Sequence, residues 1–457
     1  MNEKKTKMEL LSEERVPRAL MKLGIPTMAG MLVSALYNAI DAYFVGGLGI
    51  RQMGAVSVVF PIVQLVIGLG MMFGAGASSY ISRLLGKEEY READKVASTA
   101  LISGMMTGAV IIIGILCNLD LVLTGLGATE TILPYARAYA RIYIAGSILN
   151  VFTVCMNNLL TAQGATRVTM LAMLSGSIAN VILDPVLIYG LNLGIEGAAA
   201  ATALSLCINA AFYVTYILRR KGVLRLSVRN FTWSKKIYGE ILKIGIPVLA
   251  FQLFASVSLG LTNMAAKRYG DYAVAAMGAV SKIITIGTYV VFGFMKGFQP
   301  FAGYNYGAGQ YQRLKDAIRL CCLWSAVFCA LGGCTCAVFS KQVISLFGTD
   351  KGMILFGSKV LLVNAVTFVT FGFQMVYASL YLAVGKSMIG SILSLGRQGL
   401  FFIPLILILP KVSGIDGLIW AQPAADLIAA AVTVLFAVQT DRRLGLKQKW
   451  KVNTKYS

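Results

Sequence analysis

The chain of 457 residues contains no histidine, and it carries only 20 Asp and Glu against 41 Lys and Arg. Without histidine, the commonest general base and the commonest nitrogen ligand for a metal are missing. Charge of either sign is scarce, at 13% of residues, where soluble chains average about 25%. An ordinary water-soluble domain is thereby excluded. Cysteine occurs eight times, always inside apolar runs, and five of the eight fall between Cys321 and Cys336. Such thiols act as small hydrophobic side chains. Cys334 and Cys336 form a single C-x-C with no second pair, so neither a metal site nor a disulfide framework is expected. No cleavable leader is expected either, because the first 20 residues are rich in charge and run into a full-length apolar span. No nucleophile–base set is apparent, and the sequence does not read as an enzyme.

What fills the chain is apolar: 57% of residues are hydrophobic. At about 20 to 25 residues per membrane span, the length accommodates about twelve. The spans are expected near 18–44, 53–80, 95–117, 133–159, 167–189, 195–218, 239–266, 276–301, 315–338, 352–382, 388–409 and 415–438. The fold class is therefore all-α, a polytopic membrane protein. A net charge of +21 would suggest nucleic acid in a soluble protein. Here 29 of the 41 basic residues fall at the N-terminus, in alternate loops and in the tail, against 9 in the opposite loops and span ends. The positive-inside rule then places both termini in the cytoplasm of a cell-membrane protein.

The chain repeats itself at an offset near 221 residues: Lys22-Leu-Gly-Ile-Pro26 with Lys243-Ile-Gly-Ile-Pro247, Met53-Gly-Ala-Val56 with Met277-Gly-Ala-Val280, Gly86 to Tyr90 with Gly307 to Tyr311, Gly194-Ile-Glu-Gly197 with Gly414-Ile-Asp-Gly417. Six spans per repeat give both halves one orientation, related by a pseudo-two-fold axis along the membrane normal. The expected division is an N-lobe at 1–218, a basic cytoplasmic linker at 219–238, a C-lobe at 239–438 and a basic cytoplasmic tail at 439–457.

Two acids lie inside spans of the first half, Asp41 and Asp184. An ionisable side chain at bilayer depth costs roughly 2.5–3.5 kcal/mol on insertion scales, which makes each a functional candidate. Pro185 follows Asp184 and loosens the carbonyl of Val181 four residues back, while Asn180 shares the helix face of Asp184. At 1.5 Å per residue, Asp41 lies about 29 Å from the Lys22 end of its helix and Asp184 about 26 Å from Arg167, with Thr202 about 10 Å in from the outer side. These depths are compatible with one cluster of carboxylate, amide and hydroxyl oxygens that holds a proton or a hard cation. The alternative is a structural kink and an acid near its helix end. In the second half the matching positions are Thr262, Ile403 beside Pro404, and Gln422, so the acids are not a general requirement of the architecture.

Three basic residues also fall inside spans: Lys282, Lys296 and Arg397. Arg397 and Asp426 have matching depths of about 14 and 16 Å from opposite sides, which suggests a buried ion pair. Lys282 and Lys296 are expected to snorkel to the span ends. Cavity-lining candidates recur at helical spacing: Met31, Ser34 and Tyr37 ahead of Asp41, and Met173 and Ser177 ahead of Asn180. Asn157 and Asn158 lie late in the fourth span. Methionine adapts to varied apolar ligands, and Tyr and Asn add stacking and hydrogen bonds. Ordinary helix packing explains any one of these residues equally well.

As a set, Leu23-Gly-Ile-Pro26, Asp41, Asn180-x-x-x-Asp184-Pro185, Gly194-Ile-Glu-Gly197 and Gln299-Pro300 leading to Tyr304-Asn-Tyr-Gly307 resemble the multidrug and toxic compound extrusion (MATE) family, over about residues 15–440. The resemblance implies twelve helices in two six-helix lobes around a central cavity. It implies export of cationic and aromatic compounds against inward H⁺ or Na⁺ flow, with no cofactor beyond that ion. It places the cation site on Asp41, Asn180, Asp184 and Thr202, and drug contacts near Tyr37, Asn157 and Met173. The protein is expected to act as a monomer in the bilayer and to bind no nucleic acid. A flippase for lipid-linked sugars shares the broad architecture, but its pyrophosphate would call for a cavity lined with Arg and Lys. A channel or non-transporting receptor is disfavoured by the repeat and the buried acids.

Overall fold

The computed structural model describes residues 2–219, 221–348 and 350–453; the last four residues of the basic tail lie outside the described residues. Among the described residues there are helices and no strands. In order these are α1 (Asn2–Ser12), α2 (Val16–Gly46), α3 (Ile50–Gly86), α4 (Tyr90–Cys117), α5 (Leu119–Gly125), α6 (Leu133–Ala162), α7 (Thr166–Pro185), α8 (Gly194–Leu218), α9 (Lys235–Lys267), α10 (Asp271–Gly307), α11 (Tyr311–Val338), α12 (Ser340–Ser345), α13 (Lys351–Ala383), α14 (Ser387–Leu395) and α15 (Phe402–Asn453). A π-helical turn, Val186–Gly190, continues α7, and another, Gly396–Leu400, joins α14 to α15.

Ten helices are single spans, and the remaining helical run, Ser387–Thr440, has 54 residues. Straight, it would measure about 80 Å, far beyond a hydrocarbon core of about 30 Å. It breaks at Gly414, where φ is 60° and ψ −135°. A side chain on Gly417 would collide with the carbonyl oxygen of Leu409, so the chain folds back there and makes two spans, twelve in all. The first half does the same at Gly194 (φ 55°), where a side chain on Gly197 would lie 2.7 Å from the carbonyl oxygen of Leu187. The repeated Gly-Ile-acid-Gly motif is this hairpin. The outward faces confirm the solvent: Val110 (71%), Leu331 (66%) and Leu435 (72%) are widely exposed, a pattern suited to lipid and not to water.

Residues with left-handed backbone recur in register: Gly49 with Gly270, Glu88 with Gly309, Gly164 with Gly385, and Gly194 with Gly414. The two halves are interlocked. The first span of each packs on the second span of the other, α2 on α10 and α9 on α3. Gly297 sits so close to Gly24 that a side chain there would lie 2.6 Å from its Cα, and Gly293 bears on Met28. At the matching crossing, Gly245 bears on Met72 and Gly76 on Ile241.

Three apolar cores follow from this. One is shared by both halves on the side of the N-terminus and linker, joining Leu23, Met72, Ala77 and Leu159 to Ile241, Met295, Phe301 and Phe371. On the far side each half has its own core, one around Val59, Leu123, Ile144 and Ile195, the other around Val280, Ile344, Leu361 and Leu418. The halves therefore join on the linker side and part on the far side.

The polar N-terminal segment is not a loose tail. Helix α1 wedges into the linker-side seam with Leu11 fully buried. Lys7 Nζ donates to the Tyr216 hydroxyl of the first half at 2.7 Å. From the second half, Asn305 Nδ2 donates to Leu11 O (3.2 Å) and Arg313 Nη2 to Glu14 O (2.8 Å). The basic stretch between α8 and α9 lies along α4, where the Arg225, Ser227 and Thr232 amides donate to Asp94 Oδ1, Ser98 Oγ and Thr99 Oγ1. Two further amides, Val223 and Leu224, donate to Gln163 Oε1.

Candidate functional site

Helices α2 and α7 pack together, with Met173 against Gly30 and the Thr166 hydroxyl donating to Lys22 O at 3.3 Å. That contact brings the acids of the two helices into one region. Asp184 (0% exposed) and Asn180 (1%) are sealed from the surface. Asn180 Nδ2 donates to Asp184 Oδ1 at 3.3 Å. The other oxygen of each group, Asn180 Oδ1 and Asp184 Oδ2, is buried with no hydrogen-bond partner. Asp41 is half-buried and lies within electrostatic reach of Asp184. A buried acceptor left unmet costs about 1–3 kcal/mol, so both oxygens are free to accept from a further donor. Immediately beyond, the chain relaxes into the π turn Val186–Gly190, a distortion common beside functional groups.

The other expected residues divide. Met31, Ser34 and Tyr37 stand half-buried on α2, and Tyr37 is within electrostatic reach of both acids and of Tyr289. Ser177 is buried on α7, beside the half-buried Met173. Thr202 spends its proton on its own helix, donating to Ala198 O at 3.1 Å; only its lone pairs remain to offer. Asn158 turns back to Val154 O (2.8 Å). Asn157 belongs elsewhere: it lies near the linker-side end of α6, roughly 20 Å in depth from Asp184 by helical rise.

Asn157 meets Lys296. The Lys296 Nζ reaches from α10 across the seam and donates to Asn157 Oδ1 at 2.5 Å, and Asn157 Nδ2 donates to the Tyr213 hydroxyl at 3.2 Å. Lys296 thus does not snorkel to a span end, because α6 offers an acceptor at its own depth. Lys282 is exposed.

Two residues that sequence reasoning passed over join the acid cluster. Tyr139 and Tyr143 of α6 stack at 5.7 Å with an angle of 13° between rings; Tyr139 is within electrostatic reach of Asp41 and Asp184, and Tyr143 of Asp41 and Tyr37. The available signal was the four-residue spacing of Tyr135, Tyr139 and Tyr143, one face of a helix. In the second half, Arg397 (4% exposed) and Asp426 (2%) meet as a buried ion pair at 2.7 Å.

Both halves also match one family. The sequence model of the MatE family aligns with residues 26–186 and again with 247–408, beginning each time at the proline of the Leu/Ile-Gly-Ile-Pro repeat. The chain belongs to the MatE family. Its MatE relatives include the multidrug export protein MepA of Staphylococcus haemolyticus, 28% identical over 433 residues that cover 94% of this chain and 95% of that one. Among solved MatE structures, a MATE protein in complex with MaL6 superimposes with a TM-score of 0.90 at 28% identity, covering 97% of this chain and 99% of the other. An outward-facing multidrug resistance MATE transporter of the MOP superfamily gives 0.89 at 28% identity, over 97% and 98%. The two-lobe architecture is that of the MatE fold.

Proposed function

We propose that the protein is a cation-coupled multidrug exporter of the cell membrane, working as a single chain with both termini and the linker in the cytoplasm. The reading is carried by the pair of buried, unmet oxygens on Asn180 and Asp184 with Asp41 in reach. H⁺ or Na⁺ completes that site. Asp41 and Asp184 exchange between a cation-bound form and a neutral, apolar-packed form, which biases the lobes between outward-open and inward-open states. Parted cores on the far side and a shared core on the linker side correspond to the outward-open member of that pair. Met31, Ser34, Tyr37, Met173 and Ser177 line the path for cationic, aromatic drugs, and Thr202 contributes its lone pairs to the cation site. The export activity named for the MepA relative supports the same reading, and transport rather than catalysis is the function assigned.

The test is proteoliposome transport with Na⁺ and H⁺ gradients imposed separately. Uphill movement of a fluorescent organic cation under at least one gradient is the expected result. A protein that dissipates a gradient without moving the cation, or moves it only downhill, is a channel and not this exporter.

A further inference from the structure

Helix α1 fills a seat that the repeat provides twice. At the offset of 221, Gly164 corresponds to Gly385 and Asn305 to Leu84. Leu11 of α1 lies against Gly164, and its carbonyl accepts from Asn305 Nδ2 at 3.2 Å. In the related place Arg83 lies against Gly385, and beside it a cavity of about 210 Å³ remains. Tyr80, Arg83 and Lys87 of α3, Tyr306 and Gly307 of α10 and Tyr311 of α11 line it. The stretch that precedes α9, as α1 precedes α2, lies along α4 instead, with the Arg225 amide on Asp94 Oδ1. The volume is below the roughly 300–1,000 Å³ of pockets for drug-sized ligands, so the space suits a smaller group.

Its charge is of one sign. Tyr80, Arg83 and Lys87 share a face of α3. Arg83 lies 5.3 Å from the centre of the Tyr80 ring and donates to Ser79 O at 3.3 Å and to Glu240 Oε2 at 2.7 Å. Glu240 also faces Lys243 at 3.8 Å, so one carboxylate serves two cations. Lys87 is exposed and, among the described residues, has neither an ion pair nor a hydrogen bond. No acid is among the described lining residues. The Tyr306 and Tyr311 rings stand edge to face at 6.0 Å on the opposite wall. Cations with donors to spare, at the level where span ends meet headgroups, suit an anion with several acceptor oxygens.

We propose that this cavity binds the phosphate group of an anionic lipid headgroup or of a small soluble phosphate ester. Lys87 and Arg83 hold the phosphate oxygens, and the tyrosines pack around the ester stem. The ligand touches α3 of one half and α10 and α11 of the other, so it clasps the linker-side seam as α1 does at the related seat. The inference does not depend on the exporter reading, because binding is measured without transport.

The experiment uses the full-length protein in neutral detergent, with fluorescent phosphatidylglycerol and phosphatidylcholine of the same acyl chains. Wild type is expected to prefer phosphatidylglycerol about tenfold, the scale of one charge-assisted hydrogen bond. K87Q removes an exposed side chain with no described partner and is expected to lower the preference to about threefold, half of that free energy. K87R should restore it, and R229Q, which removes one positive charge from the linker, should leave it unchanged. Equal binding of the two lipids by wild type overturns the proposal, and so does a preference that K87Q leaves intact or that R229Q lowers as much. Glycerol 3-phosphate as competitor separates the sources. Displacement of the lipid shows that a soluble ester suffices, and a Lys87-dependent preference without displacement assigns the site to lipid.

Discussion

Arg397 Nε donates to Asp426 Oδ1 at 2.7 Å, and the guanidinium lies 4.3 Å from the centre of the Phe371 ring. Gln422 Nε2 reaches the same carboxylate oxygen at 2.8 Å. Removing one partner of a buried pair leaves the other charge uncompensated, at about 3–5 kcal/mol. Arg397→Met and Asp426→Leu should each lower the melting temperature in detergent, and the double variant should recover part of the loss. A double-mutant cycle measures this; strictly additive losses would mean that the two side chains are energetically independent.

Asp41→Asn and Asp184→Asn should each abolish gradient-driven export and leave a folded protein. The amide keeps the size of the side chain but cannot exchange a proton or hold a cation as a carboxylate does. Drug flux under imposed gradients, alongside gel filtration, checks this. Wild-type flux in both variants would remove the acids from the coupling site.

Orientation is open to labelling. Val228, between α8 and α9, is 80% exposed. In a background without native cysteines, Val228→Cys should resist an impermeant thiol reagent applied to intact cells and react after permeabilisation. Prompt reaction from outside would invert the orientation.

The wedge formed by α1 predicts a change in opening at the linker side. Ser82 (1% exposed) lies at the seam against Gly303. Deleting residues 2–12 removes Leu11 and the bond from Asn305, and a lost buried hydrogen bond costs about 1–3 kcal/mol. The thiol of Ser82→Cys should then react roughly tenfold faster in inside-out vesicles. Equal rates with and without α1 would show that the helix does not hold the seam.

Much of this architecture was legible in the residues. The acid-proline run at Asp184, the depth match of Arg397 with Asp426, and the repeated Gly-Ile-acid-Gly hairpins are local patterns, and helical rise converts them into positions. What stayed hidden depends on which way a helix faces. Depth alone could not distinguish a lysine that snorkels from one that crosses to Asn157, and the family resemblance grouped Asn157 with candidate drug contacts, Tyr37 and Met173, on α2 and α7. Tyr139 and Tyr143 were equally ambiguous, since a tyrosine stripe suits packing as well as a site. The docking of α1 was out of reach, because its anchors Tyr216, Asn305 and Arg313 come from far along the chain.

The exchange of first spans has a consequence for biosynthesis. The seat for residues 24–28 is built from residues 293–297, and at about 5–20 residues per second the ribosome needs roughly a quarter of a minute to a minute to supply it. During that interval α2 stands in the bilayer with its Gly24–Met28 face open to lipid or to whatever escorts the nascent chain. A polypeptide halted after the sixth span would not be half of a working protein, and the two repeats must mature together, each finishing the other.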